Sequence, residues 1–176
     1  MLRKAAFFDR DGVLNIDKGY VYKQEEFVWM PGAIETIRRC NELGYAVIVV
    51  TNQSGIARAY YEEADVKKLH AWMNEELAKQ QAHIDAFYYC PHHVQGEVAR
   101  YREDCNCRKP QPGMLLQATA DLGLDRANSF MIGDKQSDME AAANAGVTGY
   151  FFKAAEHNGN LYDFVKEHIK SVADRW

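Results

Sequence analysis

Short runs of apolar, β-branched or aromatic residues alternate along this chain with longer stretches in which apolar residues recur every three or four positions. Ala5 to Phe8, Ala46 to Val50, Ala86 to Cys90, Phe130 to Ile132 and Gly149 to Phe152 are too short for helices, and they predict buried strands. Between them, Pro31 to Leu43 places Ile34, Ile37, Cys40 and Leu43 on one helical face before Gly44, and Glu62 to Lys79 does the same with Val66, Leu69, Met73 and Leu77. Pro112 to Leu122 ends at Gly123, Asp138 to Ala145 ends at Gly146, and Leu161 to Trp176 carries Leu161, Val165, Ile169 and Val172. Strand and helix repeated five times predict a doubly wound, Rossmann-like parallel α/β sheet. Only Pro91 to Gln111 breaks the alternation. It is polar, poor in strand formers and longer than an ordinary connection, which marks a functional or cross-linked loop.

The composition narrows the reading. The 176 residues, 47% hydrophobic and 26% charged, are expected to bury a full core as a single domain over residues 1–176, with no second domain of useful size such as a large cap over the site. Twenty-one Lys and Arg are scattered among 25 Asp and Glu for a net charge of -4, which argues against a nucleic-acid partner. Asp9 interrupts the first apolar run, and the longest other one, Tyr45 to Val50, is far short of a bilayer span. Neither a signal peptide nor membrane insertion is therefore expected, and the expected compartment is the cytoplasm. There, four cysteines read as metal ligands or free thiols rather than bridges.

In an open parallel sheet, ligands bind outside the carboxyl ends of the strands. Strand one runs into Asp9, Arg10, Asp11 and Gly12; strand two into Thr51, Asn52, Gln53 and Ser54; strand four into Gly133, Asp134 and, four residues later, Asp138. Carboxylates converging from two strands repel unless a cation offsets them, and an all-oxygen set with room for water and phosphate suits Mg²⁺. Lys109 supplies a positive charge for an anionic substrate.

With these residues in place, DRDGVLN at Asp9 to Asn15 resembles the first motif of the haloacid dehalogenase-like phosphatases. The resemblance implies that Asp9 is the nucleophile that accepts the phosphoryl group. It makes Asp11 the acid that protonates the leaving oxygen and then the base that activates water, a role that calls for a carboxyl pKa above the ordinary value. Thr51 would hydrogen-bond the transferring phosphoryl and Lys109 would neutralise it. A Mg²⁺ ion would be held by a side-chain oxygen of Asp9, the backbone carbonyl of Asp11, and Asp134. The position of Asp138 leaves open whether it adds a contact to that site. Arg10, between the two carboxylates, would mainly orient backbone.

The polar loop carries Cys90, His92 or His93, Cys105 and Cys107, two close ligand pairs separated by a connection, which is how structural Zn²⁺ is usually held. A metal there would order a segment with few apolar residues and aim the adjacent Arg108 and Lys109 into the crevice. The runs CPHH and CNCRKPQPGM, with GYVYK at Gly19 to Lys23 and VVTNQSGIAR at Val49 to Arg58, are similar to a branch of the same family that acts on sugar bisphosphates. That branch assigns His92 to zinc. It places Asp17, Lys18, Gly19 and Tyr20 at the sugar end and Thr51, Asn52, Gln53 and Ser54 along the phosphate, with Arg108 on the second phosphate. The expected partner is thus a small sugar phosphate, bound by a monomer. Ala59 departs from the branch, which has Gly after IAR, and this puts the φ of that turn in question.

Cys40 reads as a core thiol, His70, His83, His157 and His168 lack partners at ligand spacing, and Trp29, Trp72 and Trp176 read as packing or surface cover. Two rival readings are weighed against this one. Histidinol-phosphate phosphatases share the first motif and a similar zinc loop, but RKPQPGM and GYVYK favour the sugar enzyme. A phosphoryl-accepting receiver domain also uses Asp and Mg²⁺, but its Asp follows an internal strand and it needs no zinc loop.

Overall fold

The structure, a computed structural model, describes residues 1–173. Five parallel strands, β1 (Ala5–Phe8), β2 (Ala46–Asn52), β3 (Ala86–Cys90), β4 (Phe130–Gly133) and β5 (Thr148–Phe151), form one sheet in the order β3-β2-β1-β4-β5. The helices are α1 (Ala33–Glu42), α2 (Glu63–Ala78), α3 (Gly113–Leu122), α4 (Gln136–Asn144), α5 (Leu161–His168) and the short α6 (Lys170–Ala173).

β1 lies in the centre and all four of its side chains are fully buried, because helices cover both faces. Ala6 and Phe8 join Val47, Val49 and Ile132 under α1, α2 and α5, whereas Ala5 and Phe7 join Ile48, Val50 and Met131 under α3 and α4. This division follows from the two-residue side-chain period of a strand. The helical stripes meet it with Ile37 and Cys40 from α1, Leu69, Met73 and Leu77 from α2, and Met114, Leu115 and Ala118 from α3. Gly123 takes the left-handed conformation, φ 63°, that closes α3.

Two expectations need correction. β3 and β5 are not buried on both faces: they are the sheet edges, β3 half-buried over most of its length and Thr148 and Gly149 exposed. The helix expected from Leu161 to Trp176 breaks at Ile169, whose φ of -115° and ψ of 81° leave the helical region. Ile169 and Val172 are both buried, so the bend carries the chain back onto the core. Trp176 lies outside the described residues.

Ala59 does adopt the backbone in question, with φ 63°, and its side chain is exposed. A Cβ in the left-handed region costs roughly 1–2 kcal/mol, of which glycine's greater unfolded-state freedom returns part. Ala59→Gly is therefore expected to stabilise the protein by about 0.5–1 kcal/mol. A urea titration checks this as a raised midpoint at constant slope; an unchanged or lowered midpoint refutes it.

Candidate active site

The register pairs Phe8 with Val49 on one side and with Ile132 on the other, so Asp9, Thr51 and Asp134 emerge together at the carboxyl edge of three adjacent strands. Asp9 is 6% exposed and its N–H donates to the carbonyl of Ile132 at 3.1 Å. Lys109 reaches it from the polar loop. Its buried Nζ lies 2.8 Å from Asp9 Oδ1, 2.9 Å from the carbonyl of Val50 and 2.7 Å from Asp138 Oδ1. Burial disfavours the ammonium, but Asp9 and Asp138 outweigh it and hold the Lys109 pKa above its ordinary value, so the group stays charged.

Asp138 has both oxygens occupied. Oδ1 holds Lys109, and Oδ2 accepts from the N–H groups of Asp134 and Lys135 at 3.1 Å each. It caps the first turn of α4 and fixes the turn that carries Asp134. Asp9, Asp134 and Asp138 stand close enough to hold one ion. Oδ1 of Asp134 is buried without a hydrogen-bond partner, and a Cβ at Gly12 (φ 90°) would overlap that carboxylate. Burial raises the Asp9 pKa, Lys109 pulls against it, and Asp138 and Asp134 push it up further, so three carboxylates sharing one ammonium are short of positive charge. An all-oxygen donor set with a bare carboxylate oxygen fits a hard divalent cation, Mg²⁺ as expected from the sequence.

Asp11 corrects another expectation. Burial raises its pKa, but the Arg10 guanidinium and hydrogen bonds from Asn15, Arg10 and Gln53 more than offset this and hold the carboxyl below its usual range. Arg10 Nη2 lies 3.1 Å from both Asp11 oxygens, Asn15 Nδ2 donates at 3.0 Å and Gln53 Nε2 at 3.2 Å. These donors keep the carboxyl ionised. Gln53 is oriented in turn: its Oε1 accepts from Tyr61 at 2.5 Å, so its amide nitrogen faces Asp11 and, at 2.9 Å, Thr51 Oγ1. Thr51 is 1% exposed, and its own hydroxyl proton has only a long 3.5 Å contact to the Asn52 carbonyl, which leaves it free to donate to a phosphoryl oxygen.

Arg10 does more than orient backbone. Besides Asp11 it donates to the Val21 carbonyl at 2.6 Å and contacts His70 Nε2 at 3.3 Å, so His70 does have a partner, one that no local spacing reveals. Burial first, and then the Arg10 charge, push the His70 pKa down to about 3. The unfolded imidazole, near 6.5, therefore binds more protons between those two values. Stability from this residue is complete above about pH 6.5 and falls as the pH drops through the window toward 3. Between pH 7.5 and 5.5 the expected loss is about 1 kcal/mol, and it should be smaller in His70→Gln. Urea titrations of both proteins at the two pH values measure the difference; equal losses refute it.

In the polar loop, Cys90, His92, Cys105 and Cys107 bring their ligand atoms within 4.8 Å of one another. The sulfurs are 3.1 to 3.4 Å apart, and His92 Nδ1 faces Cys107 at 3.4 Å. His92 Nε2 meets Glu103 at 3.1 Å, the carboxylate support usual for a metal-bound imidazole. Hydrogen bonding with Cys90, and then with Cys105 and His92, lowers the Cys107 thiol to about 5 against the effect of burial. Three thiols and one imidazole are a complete set for structural Zn²⁺. His93 turns elsewhere, its Nε2 3.3 Å from Arg58. Glu63 fastens the loop to α2 and β3 by accepting from Tyr89 at 2.7 Å and Tyr101 at 2.6 Å, a clamp that sequence reading missed because the three residues are far apart in the chain.

The remaining expected site residues divide. Asn52 exchanges hydrogen bonds with the Lys109 backbone, 3.0 and 3.2 Å, so it holds the lysine in place. Ser54 accepts from Arg58 at 3.4 Å. Asp17, Lys18, Gly19 and Tyr20 are exposed; Asp17 shares a cleft with Gly12, Asp134 and Lys153, and Tyr20 packs edge-on against Tyr60 with centroids 4.8 Å apart. Arg108 has its Nη1 buried without a hydrogen-bond partner. Cys40 is a buried thiol, and Trp29 and Trp72 pack on Phe27 as expected.

A parallel sheet with carboxylates at the ends of adjacent strands and a lysine between them defines a phosphoryl-transfer scaffold. The comparisons name the class: residues 106–174 match the HAD-hydrolase-like family profile. The chain is 49% identical over 143 residues to the D-glycero-beta-D-manno-heptose-1,7-bisphosphate 7-phosphatase of Salmonella typhi, covering 81% of this chain and 76% of that one. It is 48% identical over 154 residues to the enzyme of that name from Rhodopseudomonas palustris, covering 88% and 86%. The chain belongs to the haloacid dehalogenase-like phosphatase family. Among solved structures it is similar to D,D-heptose 1,7-bisphosphate phosphatase from B. bronchiseptica complexed with magnesium and phosphate, with TM-score 0.75, 34% identity, and 84% and 79% of the two chains covered. A putative HAD-like phosphatase from Mesorhizobium loti gives TM-score 0.81 and 36% identity over 85% of this chain and 72% of that one. Among the described residues no helix is long and apolar enough to cross a membrane.

Proposed function

We propose that this chain is a Mg²⁺-dependent phosphatase that removes the 7-phosphate of D-glycero-D-manno-heptose 1,7-bisphosphate, supplying heptose for lipopolysaccharide core. The reading takes residues 1–176 as one catalytic domain, working as a cytoplasmic monomer on a small sugar phosphate. The relatives support the substrate, and the observation that carries the chemistry is the buried contact of Lys109 with Asp9 beside Asp134.

Asp9 attacks phosphorus, a new P–O bond forms, and the ester bond breaks as Asp11 gives a proton to the leaving sugar oxygen. Asp11 then takes a proton from water, which attacks the aspartyl phosphate, releases inorganic phosphate and restores Asp9. Lys109 and the Thr51 hydroxyl stay on the phosphoryl oxygens throughout, where charge accumulates. Asp9, the Asp11 carbonyl and Asp134 would hold Mg²⁺, which would supply charge stabilisation when bound. Because Asp11 is held as a carboxylate by three donors, it must take up a proton from solvent as the charge of the substrate dianion arrives beside it. Arg108 takes the second phosphate, and Asp17, Lys18, Gly19 and Tyr20 meet the sugar. Cys90, His92, Cys105 and Cys107 would hold zinc, which would order the loop that carries both cations.

Phosphate release from the α and β anomers of heptose 1,7-bisphosphate, beside histidinol phosphate and with EDTA controls, tests this. The β anomer is expected to be fastest, in keeping with the relatives, with loss of all release in EDTA. Faster release from histidinol phosphate overturns the substrate assignment.

A further inference from the structure

His70 enters the site described above only as a contact of Arg10. It sits on α2 one turn beyond Val66, is 4% exposed, and stacks on Phe87 of β3 with centroids 4.3 Å apart and planes 12° from parallel. A histidine filling this space purely as packing would serve as well if it were phenylalanine. Its Nε2, however, lies 3.3 Å from Nη1 of Arg10, the largest fully buried side chain among the described residues. A guanidinium is always charged and has only donors, so Nε2 is the acceptor and the ring proton sits on Nδ1.

The three nitrogens of Arg10 are then accounted for. Nη2 holds both oxygens of Asp11 and the Val21 carbonyl, Nε has no hydrogen-bond partner, and Nη1 has His70. The guanidinium is a rigid planar fork, so an anchor at Nη1 fixes where Nη2 points. We infer that His70 is a positioning residue for the acid–base step: by accepting from Arg10 it sets the plane of the guanidinium that aims the Asp11 carboxyl at the leaving oxygen. The inference rests on the assignment of Asp11 made above. Asn15 and Gln53 also hold Asp11, so loss of the His70 anchor weakens the aim without abolishing it.

The leaving group separates positioning from packing. A sugar alkoxide needs a proton to depart, whereas p-nitrophenolate leaves without one, and kcat/KM reports the step in which the ester bond breaks. His70→Phe keeps the ring stack and removes the acceptor; His70→Gln keeps an acceptor. With heptose 1,7-bisphosphate, His70→Phe is expected to lose roughly tenfold in kcat/KM, a fraction of what a general acid contributes, and His70→Gln to recover most of it. With p-nitrophenyl phosphate both variants should stay within about twofold of the wild type. An equal loss on the two substrates, or none on either, overturns the inference.

Nitrogen-15 NMR of the imidazole reads the contact with no substrate present. Unprotonated Nε2 with protonated Nδ1 at neutral pH supports it, and the opposite tautomer overturns it. A wild type inactive on the heptose would instead count against the substrate assignment, and the NMR result would still decide the contact.

Discussion

Asp9→Asn should reduce Mg²⁺-dependent phosphate release by roughly 10⁴-fold or more, because an amide cannot serve as the nucleophile and the other groups have nothing to act upon. The same substitution should leave the fold intact. Asp9, Asp134 and Asp138 share a single ammonium, and Lys109 keeps its 2.7 Å contact with Asp138 when Asp9 loses its charge. Removing one of three crowded carboxylates relieves repulsion, so without Mg²⁺ the variant is expected to melt no lower than the wild type. Adding Mg²⁺ should raise Tm less in the variant, since a ligand oxygen has been lost and stabilisation follows affinity. Normal turnover by the variant would refute the nucleophile assignment, and an equal Mg²⁺-induced shift would refute the ligand assignment.

Cys107→Ser is the second large effect. The serine hydroxyl stays protonated where the Cys107 thiol is already lowered to about 5, and oxygen is a poor substitute for thiolate on zinc. Loss of the metal removes the cross-link from a loop with little core of its own, a cost on the order of 10 kcal/mol locally. The effect reaches the crevice, because Lys109 lies two residues on and its backbone is pinned by Asn52. Elemental analysis should find less than one zinc per chain, hydrogen exchange should rise across residues 91–111, and kcat should fall at saturating Mg²⁺. Cys40→Ser, on the core face of α1, is the control and should keep its zinc. A wild type without zinc, or a Cys107→Ser protein with a full complement, would rule this account out.

Much of the scaffold is legible in the residue pattern, for a physical reason. Central parallel strands are covered on both faces and so read as unbroken apolar runs, and most of the helical stripes end at glycines that take positive φ. The strand ends then point to Asp9, Thr51 and Asp134, and ligand spacing points to Cys90, Cys105 and Cys107. What stays hidden depends on contacts between distant segments. Edge or centre is a matter of strand order, which periodicity does not encode, so β3 and β5 look like β1. The break at Ile169 comes from the core beneath it rather than from helix propensity. Asp138 looks like a simple helix cap until Lys109 arrives from 29 residues earlier in the chain. His70 and Glu63 gain their roles from Arg10, Tyr89 and Tyr101, and the low Asp11 pKa comes from the donors those folds bring to it.

The central place of β1 also bears on synthesis. This strand is made before the other four, yet one of its two neighbours, β4, follows more than a hundred residues later, and the Ala5 N–H finds its partner in Ser129 across 124 positions. Pairings this distant form slowly and depend on nearly the whole chain. Asp9 and Asp134 therefore meet only once β4 has been made, and a nascent chain that stops short of it holds the nucleophile without a means to use it.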